Sequence, residues 1–373
     1  MNRRIQEKDI FFQRLAQQRL TNHPFHTPGE VVTWMGAIQA QEYRDSKWGV
    51  GLRMQRNSLS ERNESSAATD SIIEQVFNDG SILRTHVMRP TWHFVMPDDI
   101  RWLLELTAPR VHTGNLSIYR KLELDHDLLV RCLDVIVNEL RGNRWCTRKE
   151  LGEALAERGI FAQTQRLSYI LMYAELEGIV CSGPRRGNQF TYSLLDERAP
   201  DARRLQRDEA LSELTRRYFT SHGPATIQDF TWWSGLTVAD AKNGLEMVGS
   251  NLDMETLADR TYYFAYDMVP ISFVYPSALL LPTYDELIIG YSMFNKSRTG
   301  GQDISQPPLF YSMIVSNGKI IGSWRRTIKK DLVEIEIAPF SPLNQKDEEA
   351  VAAACRRYGE FFGLPVEIRV KND

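Results

Sequence analysis

The sequence is poor in cysteine: its four, Cys132, Cys146, Cys181 and Cys355, have no close pairing, so neither a zinc ribbon nor a disulfide frame is spelled. Its seven histidines are scattered, and His86 and His93 lie too far apart for a helical metal pair, so no metal and no cofactor are expected. No apolar run is long enough to span a bilayer, and the segment from Met1 to Lys8 leads into no signal-like apolar core. A dominant charge is missing too: 45 Lys and Arg stand against 48 Asp and Glu, a formal charge of −3. That excludes a uniformly basic nucleic-acid coat but leaves room for a local basic face. Together these absences lead us to expect a soluble, cytoplasmic protein with no membrane partner.

What is present is enough apolar material for a packed core throughout, 42% of 373 residues. At roughly 150 residues per domain the length predicts two or three domains. Three segments share the pattern Thr-x-x-acid-apolar: Thr27 to Glu30 and Val31, Thr147 to Glu150 and Leu151, Thr226 to Asp229 and Phe230. Each reads as a capping box, in which threonine and acid satisfy orphan amides at a helix start, and Pro28 suits the first helical position of the first copy.

The surroundings of the boxes repeat as well. Around the second, helices are predicted over 128–140, after Thr147, and through Leu167, Ile170, Leu171 and Ala174, followed by strands at Ile179-Val180 and Phe190 onward. Around the third, a helix covers about 208–220, Thr226 opens the next, and Thr237 with Asp240 caps another whose apolar stripe is Val238, Ala241, Leu245 and Val248. Strands near 253–258 and 261–267 follow. In the first copy the helices are about 9–20, 28–38 and 69–79, with a ribbon from Ile82 to Met96. Helix, helix, helix, ribbon is the order of a winged helix-turn-helix. From 276 onward come a glycine-rich basic loop, Asn295 to Asp303, an Asn317-Gly318 hairpin, strands at 333–337 and 366–370, and a helix at about 346–362. The expected fold class is α+β: winged helices over 1–113 (with a linker helix), 114–200 and 201–275, closed by a small α+β unit over 276–373.

Two places could carry chemistry. Gln39-Ala40-Gln41 begins twelve residues after Thr27, where the second copy has Gly159 and its helix should stop. In a helix residues i and i+2 diverge, whereas in an extended segment they project the same way, so unwinding here would aim two carboxamides into one space. The polar stretch Glu42 to Gly49, short of helix formers, favours that unwinding. The second place is the first wing, where alternation sets Trp92, Phe94 and Met96 on one face and Thr91 and His93 on the other, with Arg84 and His86 sharing a face of the partner strand. Arg84, His86, Arg89, Thr91 and His93 suit phosphate and sugar contacts, or alternatively brace the wing against the next domain. Basic clusters recur at Arg141, Arg144, Arg148 and Lys149, at Arg185 and Arg186, and at Trp324, Arg325, Arg326, Lys329 and Lys330, either solvated faces or the lining of one channel.

Five segments resemble one known family. Ala37-Ile38-Gln39-Ala40-Gln41, the wing Leu83 to His93 with its Arg89-Pro90-Thr91-Trp92-His93, the helix Asp98 to Leu104, Leu281-Pro282-Thr283-Tyr284-Asp285-Glu286, and Gly322-Ser323-Trp324-Arg325-Arg326 resemble the tandem winged-helix DNA glycosylases of the AlkZ and YcaQ type. The resemblance covers nearly the whole chain. Gln39-Ala40-Gln41 looks like the Gln-apolar-Gln motif of the AlkZ-like branch rather than the Gln-apolar-Asp of the other. The resemblance implies a C-shaped channel around double-stranded DNA, excision of N7-alkylated purines and, in some members, unhooking of interstrand crosslinks. It also implies catalytic roles for Gln39 and Gln41. Crosslinked bases cannot flip freely into a deep pocket, so an open site reached from the groove is expected, with the Asn317-Gly318 hairpin and Lys319 as a candidate groove probe. Trp324 and Arg325 complete the expected DNA contacts, and a monomer is the expected state. The alternative is a winged-helix transcriptional regulator without catalysis; a catalytically silent scaffold is a further rival.

Overall fold

Threonine and acid, three residues apart, open helices at all three predicted places. A computed structural model of the chain describes residues 6, 9–55, 68–269, 278–292 and 312–371. Thr27 Oγ1 accepts the Glu30 N–H at 3.3 Å while Glu30 Oε2 accepts the Thr27 N–H at 2.9 Å, which starts the helix Pro28–Met35. The same reciprocal pair starts Arg148–Glu157 at Thr147 and Glu150, and Ile227–Ser234 at Thr226 and Asp229. Each such cap contributes on the order of 1 kcal/mol. The loop expected at 295–303 lies outside the described residues.

The elements around the second and third boxes follow the predicted order. The second set is His126–Leu140, Arg148–Glu157 and Thr164–Leu176 with the ribbon Val180–Ser182 and Thr191–Leu194. Its first helix begins two residues early because the Asp125 carboxylate accepts the Leu128 N–H at 2.8 Å. The third set is Arg207–Ser221, Ile227–Ser234 and Val238–Val248 with the ribbon Leu252–Leu257 and Arg260–Ala265. One detail differs: Val238, assigned to the apolar stripe, is 49% exposed. The buried stripe of that helix is Ala241, Gly244 and Val248, with Gly244 so close to Thr215 that a Cβ would stand 2.2 Å from its Oγ1.

The first set departs further from expectation. Its helix ends at Met35, where Gly36 takes φ +79°, and the chain runs extended through the short strand Ile38–Gln39. The stretch after it, expected to be irregular, is the helix Tyr43–Arg53. Propensity is overridden by burial of every residue but Arg44. Trp48 donates its Nε1–H to the Leu280 carbonyl at 2.7 Å, Lys47 pairs with Asp70 and Glu74 at 2.7 Å each, and Asp45 pairs with Arg326. Gly51 lets the helix Gln345–Phe362 approach, since a Cβ there would lie 2.7 Å from the Phe361 ring.

Ile38–Gln39 pairs antiparallel with Thr91–Val95, which pairs with Leu83–Val87, giving the order Ile38–Gln39, Thr91–Val95, Leu83–Val87. The C-terminal part is a five-stranded sheet ordered Val366–Val370, Val333–Pro339, Lys319–Ile328, Ser312–Ser316, Ala278–Leu281, mixed because only Val366–Val370 runs parallel to its neighbour. The Asn317-Gly318 hairpin forms as predicted, with φ +47° and +72°. This sheet and the first set share one core, in which Trp48, Phe77 and Phe94 pack with Leu280, Trp324 and Tyr358. A second core joins the first wing to the helix Ile100–Lys121 and to Tyr218, Trp233 and Tyr291, and a third fills the second set. Among the described residues no helix is long and apolar enough to cross a membrane.

The tie between the first set and the C-terminal part is a buried ion pair. Arg53 donates to both oxygens of Asp285, at 2.9 and 3.0 Å, and also to Gln18 Oε1 and the Gly49 carbonyl. Neither side chain is more than 1% exposed. Asp285→Ala strands a buried guanidinium and should cost about 3–5 kcal/mol, whereas joint replacement of Arg53 by Met and Asp285 by Leu should cost clearly less. Urea unfolding of the single and the double variant measures the difference; a double variant as unstable as the single loss would show the pair to be a net source of stability.

Candidate active site

Gln39 lies opposite His93 across the strand pair, and His93 lies opposite Thr85 on the far strand, so all three side chains share one face of the sheet. The extended course continues past Gln39, because the Ala40 N–H donates to the Trp92 carbonyl at 2.7 Å. Gln41 therefore projects on the Gln39 side. The predicted unwinding occurs, and its cause is strand pairing with the wing rather than weak helix propensity beyond it.

Partners fix the orientation of the two carboxamides. The Arg89 guanidinium donates to Gln39 Oε1 at 3.1 Å. Arginine can only donate, so the Gln39 oxygen must face it and the amide NH2 must face away. Gln41 Oε1 receives a longer bond, 3.5 Å, from the Trp92 N–H. Gln39 is 8% exposed, Gln41 more. From outside the sheet the Gln39 N–H donates to Glu286 Oε1 at 2.7 Å.

His93 is wholly buried, and its Nδ1 donates to the Thr91 carbonyl at 2.9 Å, which makes Nε2 an acceptor. Burial, with the Arg89 charge beside it, holds its pKa down at about 3, so it is neutral at any working pH. Burial alone would push the Glu286 carboxyl up, but His222, hydrogen bonding and the Gln39 N–H outweigh it and hold it below the usual range. Burial also pushes the Arg89 guanidinium down, against the pull of Glu286.

The other wing residues named from the sequence brace the wing instead of lining an open face. Arg84 is opposite Phe94 and His86 opposite Trp92, so both lie on the aromatic face, away from Thr91 and His93. The Arg84 guanidinium sits 4.3 Å from the Trp92 ring and 4.6 Å from the Phe190 ring, its Nε donates to the Ala40 carbonyl, and burial pushes its pKa down to about 10. His86 Nδ1 lies 2.5 Å from Glu175 Oε2, and the Trp92 Nε1–H donates to Glu175 Oε1 at 3.2 Å. Direct phosphate contact by Arg84, His86 or His93 is thus replaced by contacts inside the protein.

Trp324 is likewise a correction: it is 2% exposed, donates to the Leu281 carbonyl at 2.8 Å and packs edge-on against Tyr358. Arg325 is exposed on its strand, opposite Glu336. Lys319 is exposed, but the turn before it is not free-standing. Ser316 donates to Asp347 at 2.7 Å, and Gly318 lies against Phe12, where a Cβ would stand 2.3 Å from the ring. Part of the basic clusters is spent on carboxylates: Arg185 on Glu74, Arg186 on Glu150, Arg326 on Asp45 and Lys329 on Glu334. Among the described residues no group of three or more His, Cys, Asp or Glu side chains is placed to hold a metal ion.

Sequence reasoning missed Glu286 and Glu175, buried acids bonded to Gln39 and to the wing respectively. Glu286 lay within a quoted motif, but its partners Gln39, Trp233 and His222 are remote in sequence; Glu175 sits inside a helix with nothing local to mark it.

Comparison with known proteins agrees with this geometry. The family described as DNA glycosylase AlkZ-like matches residues 32–361. An interstrand DNA cross-link repair glycosylase of Streptomyces sahachiroi is 23% identical over 381 residues, covering 97% of this chain and 98% of its own. The structure of the Streptomyces sahachiroi DNA glycosylase AlkZ superposes with a TM-score of 0.73 at 20% identity, over 98% of this chain and all of the other. The match spans residues 32–361, most of the chain: this protein belongs to the AlkZ-like family of DNA glycosylases.

Proposed function

We propose that the chain hydrolyses the N-glycosidic bond of cationic N7-alkylated purines in double-stranded DNA, with Gln39 and Gln41 as its catalytic residues, and that its substrates include interstrand crosslinks. The observation that carries this reading is the pair of carboxamides on one face of an extended segment, one of them oriented by Arg89. On this reading the chain is a monomer of three tandem winged helices, residues 1–113, 114–200 and 201–275, with the unit 276–373 closing a C-shaped channel. The repeated helix, helix, helix, ribbon order supports it, and the name of the Streptomyces relative supports the crosslink assignment.

A purine alkylated at N7 already carries a positive charge. As the bond from C1′ to N9 breaks, its electrons neutralise that charge, so the base departs without protonation by an acid. Water then bonds to C1′ and gives up a proton to bulk solvent. What the protein must do is hold that water and face the oxocarbenium-like sugar with oxygen lone pairs. Each carboxamide oxygen has two lone pairs and spends one on a protein donor, leaving the second for this role. Arg89, beside Gln39, is the wing residue suited to a backbone phosphate, with Thr91, Lys319 and Arg325 as outer contacts.

Duplex DNA bearing one N7-methylguanine should release the base, and Gln39→Ala and Gln41→Ala should each slow release by about 100-fold while duplex binding persists. Release by both variants at the normal rate would remove the glutamines from the chemistry.

The pH dependence follows from the neutral histidine. With His93 held near 3, release from the cationic lesion should be flat from about pH 6 to 8. The same burial sets an acid limit. Unfolded histidine takes its proton near 6.5 and folded His93 only near 3, so the unfolded state binds more protons between these values. Stability is complete above 6.5 and falls as the pH drops, by up to about 1.4 kcal/mol per pH unit. Urea midpoints at pH 7.5 and 5 should show this loss, and His93→Gln should flatten it.

A further inference from the structure

Gln39 sits on a strand too short to hold its own register. Ile38–Gln39 makes two cross-strand pairs, on the outside of a three-stranded sheet, and a slip of one residue would turn Gln39 to the opposite face. Its N–H points away from the sheet, where a partner must come from elsewhere. That partner is Glu286, 1% exposed, whose Oε1 accepts the N–H at 2.7 Å.

The carboxylate is itself held from behind. Its Oε2 accepts the Trp233 Nε1–H at 3.0 Å and lies 3.5 Å from His222 Nε2. Ser221 Oγ lies 2.8 Å from both the Arg217 carbonyl and His222 Nδ1, which fixes the imidazole ring with Nε2 turned toward Glu286. One residue upstream, Asp285 caps the helix Glu286–Ile289 through the Leu287 N–H and is gripped by Arg53. Glu286 is therefore anchored on its own backbone and on one oxygen, leaving the other to hold Gln39.

We propose that Glu286 is the positioning residue of the site: it binds the outward N–H of Gln39 and so keeps that carboxamide in register on the polar face, an inference that rests on the reading of Gln39 as catalytic. Both oxygens are needed. A glutamine in this place has one acceptor atom for two donors, the Gln39 N–H and the Trp233 Nε1–H, so it must abandon one of them.

The test uses the full chain with Glu286→Gln, alone and with Trp233→Phe, which removes the competing donor. Hydrogen–deuterium exchange over residues 36–42 reads the register, single-turnover release of N7-methylguanine from duplex DNA reads the chemistry, and the dissociation constant for the duplex reads overall integrity. Glu286→Gln should speed exchange at Gln39 and slow release by about 10- to 100-fold with duplex affinity unchanged. Adding Trp233→Phe should move both readouts back toward wild type, which a general loss of stability would not do. Should Glu286→Gln fail to fold, Glu286→Asp keeps the charge but withdraws the carboxylate by one methylene and should show the same paired change. Unchanged exchange, or faster exchange with an unchanged release rate, overturns the inference. Faster exchange in the variant, with a wild type that releases no base, upholds the pinning and overturns instead the catalytic reading of Gln39.

Discussion

Two adjacent buried acids, Asp285 and Glu286, dictate much of what surrounds them. A buried carboxylate without partners is prohibitively costly, so the segments that receive this dipeptide must supply donors. Asp285 takes both arms of Arg53, at the end of the helix Tyr43–Arg53, and Glu286 takes the backbone of Gln39, just before that helix begins. The residues between Gln39 and Arg53 are thus clamped at both ends by neighbours in sequence. Their helix persists despite poor intrinsic propensity because its ends are anchored and nearly all its faces are buried.

The first wing has no solvent side in the usual sense. One face, with Arg84, His86, Trp92 and Phe94, packs against Glu175, Ser182 and Phe190 from the second set of helices. The opposite face carries Thr85, His93 and Gln39. Positive side chains on the first face work as internal struts: Arg84 covers two aromatic rings and holds the Ala40 carbonyl between the two glutamines. A residue type that reads as a DNA contact in sequence here supplies the packing that makes the opposite face rigid.

This explains which parts of the molecule were legible beforehand. Capping boxes are local, because both partners lie within one turn, and all three formed as spelled. So did the Asn317-Gly318 turn, whose positive φ angles those two residue types tolerate. The extended Gln39-Ala40-Gln41 was legible in outcome but not in cause, since the strand that pairs with it lies some fifty residues on, whereas the helix end at Gly36, short of the expected 38, was not legible. The helix Tyr43–Arg53, the core position of Trp324 and the roles of Glu175 and Glu286 were not legible at all. Each depends on partners from remote segments, so no window of sequence contains the reason. Val238 failed differently: it has the right spacing for the stripe but sits at the first helical position, on the solvent side.

The electrostatics of the polar face bear on the proposed chemistry. Its histidine is kept neutral, its arginine is half-buried, its carboxylate is buried, and the two glutamines add uncharged amides. Among the described residues of this face none is able to protonate a leaving base near neutral pH. For an ordinary purine this would be a deficiency, because the departing anion would need a proton. For a base that is already a cation it is an advantage, since an acidic group held beside it would have to carry its proton against the charge of the substrate. Glu286 on the backbone of Gln39 and Arg89 on its side chain carry opposite charges, so the pair adds no formal net charge around that carboxamide. On the proposed reading, selection between intact and alkylated purines rests on the charge the lesion brings, and the fold's task reduces to keeping two carboxamides still.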